Sequence, residues 1–364
     1  MKIAYAINSM EGGGAQTPLP KIVRALENAG ATVRVMALTP RNGLAIERLR
    51  AAGIEPIVRD GGEKDQVAAY RWLRDQTREW GADAIWTSLT RATLLGQVVG
   101  RTLGIPVISW QHNAFLKPWN ERLLRWRAGT TDLWVADSAQ VAALTKERLG
   151  VCAESLVTWP IFAAEPGAPR ARPWRAGETL QIGSLGRLHP NKGYDVLIDA
   201  LAIMQASPAA PQTPYRIVIA GTGADAAGLL ARARTRGVNM VEFAGFASDA
   251  KDFLSGLHLY LQPSRREGFC IAAHEAMQAG LPVVVSRTGE MPHTVNSPAI
   301  GRVVEVADPH SLARALAELL AAPQSLAVMG RAARERVLER FSQDRFEAMG
   351  AEIIRRIDAL LSRP

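Results

Sequence analysis

The sequence predicts an α/β protein built from two doubly wound parallel sheets, one in each half of the chain. Three observations lead there. Short apolar runs alternate with segments of helical length in both halves, the pattern of strands covered by helices on both faces. A stretch broken by Pro160, Pro166, Gly167, Pro169, Pro173 and Gly177 interrupts the alternation near the middle. At 364 residues the chain is too long for one ordinary core and long enough for two.

In the first half the expected strands are Lys2–Ile7, Thr32–Leu38, Ile54–Val58, Ala84–Trp86, Pro106–Trp110 and Leu133–Ala136. Residues 65–80 and 91–103 have helical length between them. In the second half they are Leu180–Leu185, Tyr215–Ala220, Met240–Phe243, Leu257–Leu261, Pro282–Val285 and Arg302–Val304. Thr17 followed by Pro18 reads as the cap and first position of a helix. A closing helix carries Phe346, Met349, Ile353, Ile357 and Leu360 at three- and four-residue spacing, an apolar stripe that must be buried. These signals set a first domain at residues 1–160, a linker at 161–178 and a second domain at 179–344. In sheets of this kind ligands bind beyond the carboxyl ends of the strands.

No apolar run reaches the ~18 residues a bilayer span needs, and Ile3 to Ile7 is too short for the core of a secretion signal. Cys152 and Cys270 are the only cysteines and lie in different halves, which excludes a disulfide framework or zinc cluster and fits a reducing cytoplasm. The net charge of +8 attracts polyanions in general, but no RNA- or DNA-binding signature accompanies it.

The richest chemistry lies in residues 263–277. Glu267 and Glu275 bracket the expected start of a helix near Gly268, with Arg265 and Arg266 just upstream. Eight residues of helical rise span ~12 Å, close to the reach from a ribose across a diphosphate to a sugar. The helix amino end between the carboxylates would favour an anion. The plainer alternative is that Glu267 caps the helix and Glu275 is solvated. Against it stand Ala272, Ala273, Ala276 and Met277, among which an unpaired carboxylate is costly. After the first strand of the second half, Gly186 allows a tight turn from which Arg187 and Lys192 can reach a common anion.

These residues together resemble the group 1, retaining nucleotide-sugar glycosyltransferases of the two-Rossmann-domain (GT-B) architecture. The likeness is carried by the Glu267-x7-Glu275 element with Gly268-Phe269 and Glu275-Ala276-Met277, and by Gly186-Arg187-Leu188 with Lys192-Gly193. It extends to Gly12-Gly13-Gly14-Ala15-Gln16 and Trp110-Gln111-His112-Asn113, and runs in order from about residue 3 to residue 345. The resemblance implies two Rossmann-like domains facing across a cleft, the first for the acceptor and the second for the donor. It also implies a last helix, about residues 345–364, that returns to the first domain. Arg187 and Lys192 would grip the donor diphosphate and stabilise the charge growing on it, and His112 would contact the sugar at the reacting centre. Glu267 would hold the sugar and Glu275 the ribose, with Gly13, Gly14, Gly186, Gly268, Phe269 and Cys270 completing the donor contacts. No enzyme carboxylate acts as nucleophile in the family's front-face mechanism. The chain contains no Asp-x-Asp, so no metal clamp and no cofactor is expected. The substrates implied are a nucleoside-diphosphate sugar and a cell-envelope glycan, such as lipopolysaccharide, or its lipid-linked precursor. The setting implied is cytoplasmic or peripheral at the inner membrane surface.

The chain departs from the family pattern in two places. Pro18 and Pro20 follow the glycine loop, and Gly289-Glu290-Met291-Pro292-His293 stands where Gly-Gly-x-Pro-Glu is usual.

Three further features compete or remain open. Gly221, Gly223 and Ala226, with Glu242 beyond, satisfy a dinucleotide fingerprint and offer an NAD-dependent oxidoreductase as the alternative. Cys270 and His274, four apart, could pair as nucleophile and base in a hydrolase. Residues 116–127 place Trp119, Leu123 and Trp126 on one helical face amid Lys117, Arg122, Arg125 and Arg127. That pattern serves either a membrane-surface contact or an ordinary packed helix with a basic outer face.

Overall fold

The computed structural model describes every residue except Ala114, Ala209, Arg363 and Pro364. The last two belong to the expected terminal segment 345–364 and lie outside the described residues. The chain forms two compact units, one from Met1–Ala163 together with the segment from Gln343 onward, the other Ala164–Ser342.

The first unit holds β1 (Lys2–Ile7), β2 (Thr32–Ala37), β3 (Ile57–Val58), β4 (Ala84–Ser88), β5 (Val107–Gln111), β6 (Leu133–Ala136) and β7 (Leu156–Thr158). They form one parallel sheet in the order β3-β2-β1-β4-β5-β6-β7. Central strands such as Ala84–Ser88 are buried throughout, as expected for a sheet covered on both faces. Tyr5, Trp86, Trp110 and Trp159 interlock in the core, with Trp110 and Trp159 stacked at 4.9 Å.

The second unit holds β8 (Leu180–Leu185), β9 (Tyr215–Ala220), β10 (Val241–Gly245), β11 (Leu259–Gln262), β12 (Val283–Ser286) and β13 (Gly301–Val304). Its order, β10-β9-β8-β11-β12-β13, is again parallel and doubly wound. In each sheet the strand order reverses beside the first strand, between β1 and β4 and between β8 and β11. The crevice beyond the carboxyl ends at that reversal is where such sheets bind ligands.

Three points of the sequence reading need correction. The third strand is two residues long instead of five, because Pro56 removes a ladder donor at a sheet edge. The three-residue β7 carries too little periodicity to be seen in the sequence. Thr17 does not cap the first helix, which starts at Leu19 after Pro18; its hydroxyl donates to the Gly13 carbonyl instead. The segment expected as linker is hydrogen-bonded to the second unit along part of its length. The Glu165 N–H donates to Gln278 Oε1 at 2.6 Å, the Ala171 N–H to the Ala279 carbonyl at 2.7 Å, and Trp174 packs on the second core.

The closing helix Gln343–Leu361 packs on Leu19–Asn28 within the first unit and buries Phe346, Gly350, Ile353, Ile354 and Ile357. Gly350 lets it approach closely: a Cβ there would lie 3.3 Å from both Ala25 and Trp159.

Candidate functional site

In the second unit the structure brings Lys192 and Glu267, 75 residues apart, into an ion pair of 2.7 Å at the reversal between β8 and β11. Glycines make the approach possible. Gly193 has φ +68° and its Cβ would sit 2.0 Å from the Pro263 carbonyl oxygen, so only a glycine lets the two loops meet. The Arg265 N–H donates to the Asn191 carbonyl at 2.7 Å, and its guanidinium forks onto Asp195 at 2.7 and 2.6 Å. Arg265 is therefore a staple between loops and not an anion ligand.

Glu267 is held by more than Lys192. The Ser264 hydroxyl donates to its Oε1 at 2.7 Å and Gln262 Nε2 at 3.4 Å, while its own N–H reaches Thr288. Gln262 accepts from the Tyr260 hydroxyl at 2.8 Å, which itself accepts from the Leu185 N–H at 3.1 Å. A hydrogen-bonded relay thus runs from the end of β8 through β11 to Glu267. Among the described residues, every donor to this carboxylate ends on Oε1. Burial alone would push the Lys192 ammonium down, but Glu267 beside it holds its pKa above the ordinary lysine value. Lys192 is therefore charged at any physiological pH.

Arg187 is exposed at the turn after β8 and makes no ion pair with any described carboxylate. The helix expected from Gly268 runs from Ile271 to Gln278, three residues later. Glu275 is then its fifth residue, one turn in, and the helical estimate of the span between Glu267 and Glu275 does not apply. Glu275 is half-buried, not sunk among its apolar neighbours. Gly268 and Phe269 are buried in the loop ahead of the helix. The departure at Gly289-Glu290 keeps the turn: Gly289 has φ +65° and a Cβ there would crowd the Gly268 carbonyl at 2.6 Å. Glu290 is buried and pairs with Arg340, and His293 is exposed.

Two competing readings fail on geometry. Gly221 and Gly223 exist to let their loop lie against the turn 186–188: a Cβ would meet the Gly186 oxygen at 1.9 Å or the Leu188 oxygen at 2.1 Å. Glu242 lies near the start of β10, paired with Arg216 in solvent, and not at the strand end where a ribose would sit. The fingerprint is a packing device. The Cys270 thiol is buried, which pushes its pKa up and keeps it protonated. His274 Nδ1–H donates to the Cys270 carbonyl at 2.9 Å, its Nε2 accepts from the Thr294 hydroxyl at 3.0 Å, and the ring stacks on Phe269 at 4.1 Å. Cys270 and His274 thus form no thiol–imidazole dyad. Cys270 instead holds the left-handed position, φ +75°, that starts the helix.

In the first unit three neighbouring strand ends deliver Ser88, His112 and Asp137. His112 Nδ1 lies 3.1 Å from both oxygens of the buried Asp137, which also accepts from the Trp110 indole, and Nε2 meets the Ser88 hydroxyl. A contact from Nε2 to a sugar would compete with Ser88. Neither partner was singled out from sequence, although the parallel register, which pairs Gln111 with Ala136, puts residue 112 beside 137. Gly13 and Gly14 lie beyond the end of β1, where the Gly13 carbonyl accepts from the Gln16 and Thr17 amides at 3.2 and 3.0 Å. Helix Pro118–Trp126 packs inward through buried Leu124, not Leu123, and turns Trp119 and Trp126 to solvent.

Two parallel Rossmann-like units in one chain are the architecture of the GT-B glycosyltransferases. Residues 170–336 match the family Glycosyl transferases group 1, and residues 12–162 match Glycosyltransferase Family 4. The chain is 27% identical to a phosphatidyl-myo-inositol mannosyltransferase of Mycobacterium leprae, over 95% of this chain and 89% of that one. It is 32% identical to a GDP-mannose-dependent alpha-(1-6)-phosphatidylinositol monomannoside mannosyltransferase of Mycobacterium tuberculosis, over 51% of this chain and 50% of that one. Its fold is shared with Anabaena Alr3699/HepE, solved with UDP and glucose: TM-score 0.85 at 21% identity, covering 97% and 99% of the two chains. The protein belongs to the group 1 glycosyltransferases.

Proposed function

We propose that this enzyme is a retaining, metal-independent transferase that moves a hexose-type sugar from a nucleoside-diphosphate sugar to a cell-envelope glycan or lipid-linked acceptor. The observation that carries the reading is the Lys192–Glu267 pair at the β8/β11 reversal, with Arg187 exposed in the turn after β8 and paired with no carboxylate among the described residues. An ammonium has three donors. One is committed to Glu267, so two remain for the oxygens of a diphosphate, and the Arg187 fork adds a second cation. As the glycosidic bond breaks, charge grows on the leaving oxygen, and preorganised cations stabilise that state most. This supplies by side chains the leaving-group stabilisation a divalent ion gives elsewhere. Glu267, with Oε1 tied to the protein, offers Oε2 to a sugar hydroxyl. Glu275 accepts from the ribose hydroxyls. The departing phosphate takes the proton of the acceptor hydroxyl, so no protein nucleophile is required and configuration is retained. The work is done in the cytoplasm, without a cofactor. The mannosyl relatives favour GDP-mannose as the first donor to try.

The test is turnover at saturating donor, after a screen of uridine, guanosine and adenosine diphosphate sugars. Lys192→Ala and Arg187→Ala should each lose ~10²–10³ in turnover, because a contact that strengthens in the transition state affects more than affinity. Glu275→Gln should weaken the donor and the free nucleoside diphosphate alike. Wild-type turnover in both cation variants would remove residues 186–193 from the leaving-group role. Activity lost to EDTA and restored by magnesium would overturn the metal-free claim.

A further inference from the structure

We propose that the Ser88 hydroxyl is a displaceable occupant of His112: a hydroxyl of the donor sugar takes its place on His112 Nε2, and Ser88 turns to the unpartnered phenol of Tyr5. The proposal rests on the reading that His112 meets the sugar. It adds which kind of group the ring receives and what moves to admit it.

Asp137 sets the polarity of the ring. It is buried, and two donors converge on it: the Trp110 indole N–H and His112 Nδ1, which lies 3.1 Å from both of its oxygens. An ionised carboxylate accepts and cannot donate, so Nδ1 carries the hydrogen and Nε2 of the neutral ring is left as the acceptor. The Ser88 hydroxyl donates into that lone pair. His112 therefore offers a ligand an acceptor, and that acceptor is already filled.

The second neighbour of Ser88 makes it displaceable. Tyr5 lies on β1, which pairs with β4, and its hydroxyl is buried and bonded to nothing among the described residues. A buried phenol without a partner is costly, and most such groups are paired. Burial pushes the Tyr5 pKa up, and the Ser88 hydroxyl is near enough to act against that shift. A serine hydroxyl has one hydrogen to give. Without a ligand it goes to His112, and Tyr5 is left short. With a sugar hydroxyl on Nε2 it goes to Tyr5, and every group is paired. His112 borders a cleft of about 230 Å³ with Leu89, Thr90, Gln111 and Asn113, which gives the hydroxyl its way in. A deoxy sugar or an ether brings no hydrogen to Nε2 and cannot drive the exchange.

Ring-nitrogen NMR on the ligand-free protein, with His112 assigned by His112→Gln, should show a neutral imidazole protonated on Nδ1. Ser88→Ala should shift Nε2 toward an unbonded acceptor. An imidazolium near neutral pH, or the hydrogen on Nε2, overturns the proposal. Affinity is then measured by calorimetric titration with uridine, guanosine and adenosine diphosphate sugars, GDP-mannose first, each against its free nucleoside diphosphate. Ser88→Ala removes the competitor and should tighten the sugar nucleotide about fivefold, as one neutral hydrogen bond contributes. Tyr5→Phe removes the second partner of Ser88 and should weaken it by about the same factor. Neither should change the affinity for free diphosphate. In the Ser88→Ala background Tyr5→Phe should have no further effect, because Tyr5 acts only through Ser88, whereas a merely structural role would leave the two effects additive. Additive effects, or equal affinity of wild type and Ser88→Ala, refute the exchange and leave the donor reading standing. Failure of the wild type to bind any of these sugar nucleotides removes the donor reading, and the exchange with it.

Discussion

Lys192 and His274 lie in the same unit, and burial acts on both, yet their charge states end opposite. Lys192 has Glu267 at 2.7 Å and stays charged; burial, with the Arg340 charge acting in the same direction, pushes the pKa of His274 down to about 3. The sign of the His274 contribution follows from linkage. Its folded pKa is depressed below the unfolded value of ~6.5, so its stabilising effect is full above that pH and is lost as pH falls toward 3. Relative to His274→Gln, the wild type should lose roughly 3 kcal/mol of stability between pH 6.5 and 4, measured as the difference in urea midpoints times slope. Parallel pH curves for the two proteins would show that the ring is not buried neutral. Through Phe269 and the Cys270 carbonyl, the same histidine steadies the loop that carries Glu267.

At the scale of elements, the loops after strands decide the site, and glycine decides how near they come. Gly193 and Gly237 share almost the same backbone angle, φ +68° and φ +66°, but only Gly193 faces a neighbour, the Pro263 carbonyl. Gly237→Ala should cost only the left-handed penalty of ~1–2 kcal/mol. Gly193→Ala should cost more, because the loop 263–267 must move aside, and it should weaken nucleoside-diphosphate binding by displacing Glu267 from Lys192. Calorimetric titration alongside thermal melting checks both. Equal melting temperatures for the two variants, with unchanged nucleotide affinity, would mean the Gly193 contact does not set the loop spacing.

The chain as a whole builds two cores, and its last helix belongs to the first of them. Phe346 packs on Trp159 at 4.9 Å, and its helix covers Leu19–Asn28, so the first unit is completed by residues from the far end of the chain. Phe346→Ala removes a buried aromatic from this seam and should cost ~3–5 kcal/mol. Because the cores are separate, calorimetry should show the first unit melting earlier while the second keeps its temperature. A single transition shifted as a whole would instead show that the two units unfold together.

Much of this was legible from order and chemistry. Alternating apolar runs give strands and helices because a doubly covered sheet buries both faces, and Lys2–Ile7 or Leu180–Leu185 need no tertiary information to be recognised. Glu267, Lys192 and Arg187 stand out because they sit beside glycines at predicted strand ends, where such sheets bind ligands. Periodicity could not show β7, which is three residues long, nor the true helix start at Ile271, which a left-handed Cys270 sets. Nor could it reveal partners remote in sequence: Asp137 for His112, Ser264 and Gln262 for Glu267, Arg340 for Glu290. The dinucleotide-like glycines show the limit most clearly. Spacing alone makes Gly221 and Gly223 a nucleotide cradle, whereas the fold uses their missing side chains to seat the turn 186–188. Local sequence determines which segments are strand, helix or turn, since those depend on neighbours along the chain. Which side chains meet, and whether a glycine makes room for a ligand or for another loop, is decided only when the strands take their order in the sheet.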